Sequence, residues 1–303
     1  MTDKKSTTTI SNNNNNNNEQ IDIHRRPPLT GDLKDGIDRK QSYIMGIDEA
    51  GRGPVLGPLV YGACFAPLKE IETIKKMKFN DSKKLTEQQR EQLFIKIIKS
   101  PDVIGFVSDI NTPEYLSEKM CAKMPTSLDV ISHGSAFKMI RTVLDRGYNV
   151  QELYLDTVGP ALKYQTKLQI AFPSIGKIVV SSKADSIYPI VSAGSIVAKV
   201  LRDVLIANTS FAAYQGVEIS RDFGSGYPSD PSTKKWLREH RDNVFGYPDN
   251  IIRFSWKTTI NNLASESSIH WVSLDKQSHY FSTKRKRSSF FQDNQIDNQS
   301  IDF

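Results

Sequence analysis

Cysteine is almost absent from this chain: there are two in 303 residues, Cys64 and Cys121. So few cannot build a disulfide framework or a cysteine-rich zinc site, and they point to a reducing compartment, cytosol or nucleus. Histidine is also sparse. His24, His133, His240, His270 and His279 are scattered, with no HxxxH pair to grip zinc. No apolar run approaches the ~20 residues that a bilayer-spanning helix needs, which argues against a membrane protein. The opening MTDKKSTTTI lacks the apolar core of a secretory signal. No internal repeat recurs. Charge of one sign is not in great excess: 40 Lys and Arg face 34 Asp and Glu, a net +6. The 38% of hydrophobic and 24% of charged residues are the make-up of a soluble globular protein with a sizeable core. Collagen, mucin and wholly disordered chains are excluded.

Residues 1–41 read as a disordered tail, because the Asn12–Asn18 run and its polar flanks offer too little apolar area to offset ordering. Residues 42–265 read as the folded unit. Residues 266–303 read as a polar, partly disordered tail carrying the basic cluster Lys284-Arg285-Lys286-Arg287. That cluster is compatible with nuclear import or nucleic-acid contact, so the expected location is the nucleus, with the cytosol as alternative. Charge is nearly balanced in both end segments, so most of the excess lies between them. This fits an anionic partner such as nucleic acid, and equally a solvated basic surface.

Within the folded unit, strand and helix patterns alternate. Ser42–Ile47 and Leu59–Phe65 read as strands too close together for a helix between them, hence antiparallel. Thr86 with Gln89 forms a capping-box pattern opening a helix whose apolar face is Leu93, Phe94, Ile97 and Ile98. Further strands are expected at 103–107, 153–158 and 177–182, and helices at 127–145, before Phe172, at 190–206 and from Pro231 behind Asp230. The order predicts an α/β fold, a mixed sheet with helices on its faces.

Four acids stand at strand ends. Asp48-Glu49 closes the first strand, Asp156 lies in LYLDTV, and Asp185 follows KIVVSSKA. An acid within apolar strand sequence is costly alone, and several together repel one another. A hard divalent cation such as Mg²⁺ relieves both costs and suits an all-oxygen donor set. No nucleophilic Ser or Cys arrangement accompanies them, so the chemistry indicated is metal-assisted hydrolysis. Spacing alone leaves a second reading open, in which each acid is a helix cap or a surface ion-pair partner. The run GIDEAGRGPVLGP adds a rigid loop: Gly51, Gly53 and Gly57 permit close backbone approach to a sugar-phosphate, and Arg52 supplies a cationic fork.

Six segments in order carry a resemblance over residues 42–260. They are DEAGRGPVLGPLV from Asp48, NDSKKL at Asn80–Leu85, YLDTVGP at Tyr154–Pro160, KADSIYPIVSAGSIVAKVLRD at Lys183–Asp203, FGSGYPSDPSTKKWL at Phe223–Leu237 and VFGYPDNIIRFSWKT at Val244–Thr258. Together they resemble the type 2 ribonucleases H, the ribonuclease HII family, and the DTVG and RFSWKT forms look like the eukaryotic catalytic subunit. The resemblance implies a ribonuclease H-like mixed sheet with a mainly helical C-terminal extension. It implies two Mg²⁺ or Mn²⁺ ions held by Asp48, Glu49, Asp156 and Asp185. It implies hydrolysis of the phosphodiester 5′ of ribonucleotides, in RNA–DNA hybrids and at single ribonucleotides embedded in duplex DNA, leaving 3′-hydroxyl and 5′-phosphate. By the same resemblance Gly51, Arg52 and Gly53 read the 2′-hydroxyl, Tyr227 packs on the next sugar, and Ser82, Lys83 and Lys84 are candidate phosphate contacts. Lys199 and Arg202 are further candidates on the long helix. Asp129 stands where the eukaryotic pattern leads one to expect Asn, which bears on a nucleic-acid contact and leaves the acids untouched. His133 reads as structural. Two accessory subunits are implied, with part of their interface expected after Phe254, at Trp256, Trp271 and Phe281. The alternative is a non-catalytic nucleic-acid-binding or assembly subunit on the same fold; all four acids being present favours the enzyme.

Overall fold

A computed structural model describes residues 23–24, 27–79, 85–210, 219–242, 246–248 and 250–264. Among them, six strands form one mixed sheet: β1 (Thr30–Gly31), β2 (Tyr43–Ala50), β3 (Leu59–Pro67), β4 (Gly105–Asn111), β5 (Val150–Asp156) and β6 (Lys177–Ser181). Their order is β1-β4-β3-β2-β5-β6. β2 and β3 pair antiparallel, as their short connection predicts, while β2, β5 and β6 run parallel. The helices are α1 (Ile71–Lys76), α2 (Glu87–Ile98), α3 (Pro113–Cys121), α4 (Leu128–Asp145), α5 (Ala161–Ala171), α6 (Ala184–Ile187), α7 (Pro189–Asn208), α8 (Pro231–Glu239) and α9 (Lys257–Ala264).

Both faces of the sheet are covered. Side chains alternate along β2: Tyr43, Met45 and Ile47 join a core with α4 and α5, whereas Ile44 joins another with α2 and α7. A smaller core, with Leu56, Trp236, Leu237, Ile251 and Ile252, ties the Gly-rich loop to the C-terminal segment. The capping box opens α2 as its sequence predicts: Thr86 Oγ1 accepts from Gln89 N at 3.2 Å, and Gln89 Oε1 accepts from Thr86 N at 2.9 Å. Asp230 caps α8 by accepting from Ser232 N at 2.9 Å.

The structure departs from expectation in several places. The folded unit begins before residue 42: Thr30–Gly31 pairs with β4, and Leu33 is buried. Two residues of strand are too short to carry a period, so this part of the segment read as a tail gave no signal. The strand expected at 103–107 starts at Gly105, because Val103 and Ile104 donate their N–H groups to Ser100 O in a turn. The strand expected at 153–158 ends at Asp156, whose carboxylate accepts from Thr157 N. Helices α1, α6 and α9 have no counterpart among the expected helices, nor does α3, which Thr112 caps with Pro113 at its first position. The Asn run, Asn80–Lys84 and residues 265–303, with Trp271, Phe281 and the basic cluster, lie outside the described residues.

Helix α7 crosses β2 and β3 at bare backbone distance. A Cβ added at Gly62 would lie 2.3 Å from Gly194 O, and one at Gly46 would lie 2.5 Å from the Ile190 backbone carbon. Neither neighbour is a side chain that can swing aside. Gly62→Ala is therefore expected to cost about 3 kcal/mol in denaturant unfolding, the upper end for overpacking. An unchanged midpoint would mean the helix shifts freely.

Candidate active site

The parallel register of β2 and β5 sets the site. Ile47 lies opposite Leu155, so Asp48 and Asp156 follow side by side at the carboxyl ends of neighbouring strands. Alternation turns both toward the α7 face and turns Glu49 toward the opposite one. β6 pairs Ser181 with Asp156, and the chain then bends through Lys183, whose φ of 57° is left-handed, into α6 with Asp185. Asp156 Oδ1 accepts from Ala184 N at 3.2 Å and Thr157 N at 3.1 Å, which pins α6 to the end of β5. Asp48 and Asp185 are 6% and 2% exposed.

These acids feel one another. Burial, above all, pushes Asp48 up from 3.8 to about 7; a hydrogen bond from Ser195 on α7 restrains the rise, and Asp156 and Asp185 add repulsion. Glu49 is also raised, by burial first and then by Asp48 and Asp156, with Arg52 opposing. Part of Glu49 opens on a cavity, so solvent screens that repulsion more than at Asp48. Among the described residues, no three His, Cys, Asp or Glu side chains already stand close enough together to hold a metal. The donor chemistry nevertheless fits a hard divalent cation: the coupled groups are all carboxylates, and a positive charge among them removes their conflict.

Beside the acids lies a cavity of about 270 Å³, lined by Glu49, Gly51, Arg52, Gly53, Lys199, Arg202, Asp203 and Tyr227 among others. The structure thus brings Arg52, the two glycines and Tyr227 together, and adds Lys199 and Arg202 from α7. Tyr227 is 47% exposed and rests against Gly53, where an added Cβ would meet its ring at 3.0 Å. Arg52 donates from Nη1 to Ser132 Oγ at 2.7 Å and from Nη2 to Asp129 Oδ1. His133 stacks on Tyr164 with ring centres 3.9 Å apart and bonds to Val158 O, a structural post. Ser82, Lys83 and Lys84 fall outside the described residues.

Sequence reasoning missed what holds the Gly-rich loop. Arg253, fully buried, donates from Nε to Gly57 O at 2.7 Å, from Nη1 to Arg52 O at 3.2 Å and from Nη2 to Gly51 O at 2.5 Å. Trp256 lies 4.7 Å beneath its guanidinium and donates Nε1 to Gly53 O at 3.1 Å. The apolar context that marked Trp256 for a subunit interface is thus used within the chain. In a trans peptide the carbonyl and the next N–H point opposite ways. With the Gly51 and Arg52 carbonyls drawn onto Arg253, the N–H groups of Arg52 and Gly53 face away from it. The only prior signal was RFSWKT as part of the resemblance; its partners lie about 200 residues upstream.

The ribonuclease HII family model matches residues 45–259. The A-type subunit of ribonuclease H2 from Dictyostelium discoideum is 55% identical over 281 residues, 90% of this chain and 97% of that relative. Its Homo sapiens counterpart is 42% identical over 256 residues, covering 84% of each. The crystal structure of ribonuclease H2 from Pyrococcus horikoshii OT3 superposes with a TM-score of 0.60 at 32% identity, over 73% of this chain and 97% of that one. With these matches spanning sheet, acids and loop alike, the chain belongs to the ribonuclease HII family, as a ribonuclease H hydrolase of the type that forms the A component of ribonuclease H2.

Proposed function

We propose that this chain cleaves the phosphodiester 5′ of ribonucleotides, both in RNA–DNA hybrids and at single ribonucleotides embedded in duplex DNA, leaving 3′-hydroxyl and 5′-phosphate ends. The observation that carries the reading is the register that sets Asp48 beside Asp156, with Asp185 pinned next to them. Asp48, Glu49, Asp156 and Asp185 are the residues to hold two Mg²⁺ or Mn²⁺ ions, which when bound supply an activated water and neutralise charge on the phosphate. The chain's own contribution is orientation. Backbone N–H groups occupy one oxygen of Asp48 and one of Asp156, fixing how each carboxylate points.

Choosing RNA over DNA requires sensing the 2′-hydroxyl, the one sugar feature that differs. The outward N–H groups of the Gly51–Gly53 loop suit that contact, and the open face of Tyr227 suits packing on the neighbouring sugar. That the relatives are named as one lettered subunit of ribonuclease H2 supports the further proposal of two accessory subunits in a heterotrimer. A nuclear address rests on Lys284–Arg287 in the sequence alone.

One duplex tests the reading. A single ribonucleotide in an otherwise DNA strand, incubated with Mg²⁺, is expected to be cut on its 5′ side, faster when the accessory subunits are added. No incision under either condition, or equal incision of an all-DNA control, would refute it.

A further inference from the structure

We infer that Asp129 sets how strongly Arg52 engages a nucleic-acid backbone, by competing with phosphate for the same guanidinium. The inference rests on the reading above, in which Arg52 meets the sugar-phosphate chain. Ser127 caps α4 by accepting from Val130 N at 3.3 Å, so Asp129 stands in the first turn of an 18-residue helix. Ser132 follows one turn later on the same face. The two side chains hold both terminal nitrogens of Arg52, Asp129 by an ion pair and Ser132 by a neutral hydrogen bond.

That is the fork a phosphate needs for two-point contact. The ion pair is open to exchange, since the Arg52 and Asp129 side chains are 30% and 50% exposed. Pairs so placed are screened and contribute little to stability. The other carboxylate oxygen, Oδ2, lies 3.4 Å from where a Cβ on Gly159 would sit. Asp129 therefore stands between the Gly51–Gly53 loop and the turn that follows Asp156. A phosphate arriving at Arg52 must displace this carboxylate or approach a like charge. Ser132, being neutral, imposes no such cost. Asparagine at 129 would keep an oxygen acceptor for Arg52 and remove only the charge.

The test is equilibrium binding of the full chain to a duplex with one ribonucleotide, in EDTA so that nothing is cut, read by fluorescence anisotropy across salt. Asp129→Asn is expected to tighten binding by up to about fivefold at low salt. It should steepen the slope of log Kd against log salt by about one, the signature of one more effective phosphate contact. Arg52→Ala is expected to weaken binding. On that background Asp129→Asn should lose most of its effect, because residues in contact act non-additively. Wild-type affinity and slope in Asp129→Asn would overturn the inference, as would a gain equally large without Arg52. If Arg52→Ala alone binds like wild type, the underlying reading of Arg52 as a backbone contact fails instead.

Discussion

Asp48→Asn is expected to abolish cleavage while making the metal-free protein more stable, by a margin that grows with pH. Loss of a carboxylate from a metal-assisted site removes several kcal/mol of transition-state stabilisation, at least about a thousandfold in rate. The stability effect has the opposite sign. Burial and neighbouring acids raise Asp48 from 3.8 to about 7. Between those values the folded protein keeps a proton that the unfolded chain has already released. Stability therefore falls as pH rises through that window, and the full penalty stands above it. Asparagine carries no such penalty. In EDTA the two proteins should melt together near pH 4 and separate by roughly 5 °C at pH 8, the variant higher, for an effect of about 2 kcal/mol. Adding Mg²⁺ should raise the wild-type melting temperature more than the variant's. A variant that melts lower than wild type at pH 8 would make Asp48 a structural residue.

The second large effect is expected at Arg253. Arg253→Gln removes a buried guanidinium that serves three carbonyl oxygens, from Gly51, Arg52 and Gly57. Glutamine can serve at most two through its amide, so at least one acceptor stays buried and unmet, and the contact with Trp256 is lost. The cost is expected to be about 4 kcal/mol, a melting temperature lower by roughly 10 °C. Burial pulls the Arg253 pKa down, to about 9, yet an arginine so surrounded by carbonyls stays charged at neutral pH. The loss should thus be nearly independent of pH from 6 to 8. Below the melting transition, KM for the ribonucleotide duplex should rise at least about tenfold, since the loop loses its support. Trp256→Phe removes only the Gly53 contact and should cost about 1 kcal/mol. Melting within a degree of wild type for Arg253→Gln would show that the loop is held by something else.

The parts of this fold legible in the sequence are those with a local cause. Thr86 with Gln89, Asp230 before Pro231, and the short gap between β2 and β3 each depend on neighbours a few residues away. The four acids could be named because strand ends could be read. Their company could not be read from periodicity, which says that Ile47 and Leu155 are in strands and nothing of their being opposite. Helix α6, four residues long, falls below any helical period, so Asp185 read only as following a strand. The pairing of Arg52 with Asp129 spans 77 residues and shows in neither segment. The Arg253 clamp is the extreme case: RFSW has no local property that announces a ligand for four carbonyls at the other end of the chain.

That clamp has a consequence for the order in which the protein is made. The bonds from Arg253 and Trp256 to the loop span 196 to 203 residues. Synthesis runs from the N-terminus, and units that have emerged fold first. Strands β2 to β6, with all four acids, are complete before the ribosome reaches Arg253. On the function proposed above, a nascent chain thus has the acids proposed for cleavage in place before the loop proposed to read ribose is locked. On that proposal, cutting capacity is encoded early in the chain, and discretion arrives last.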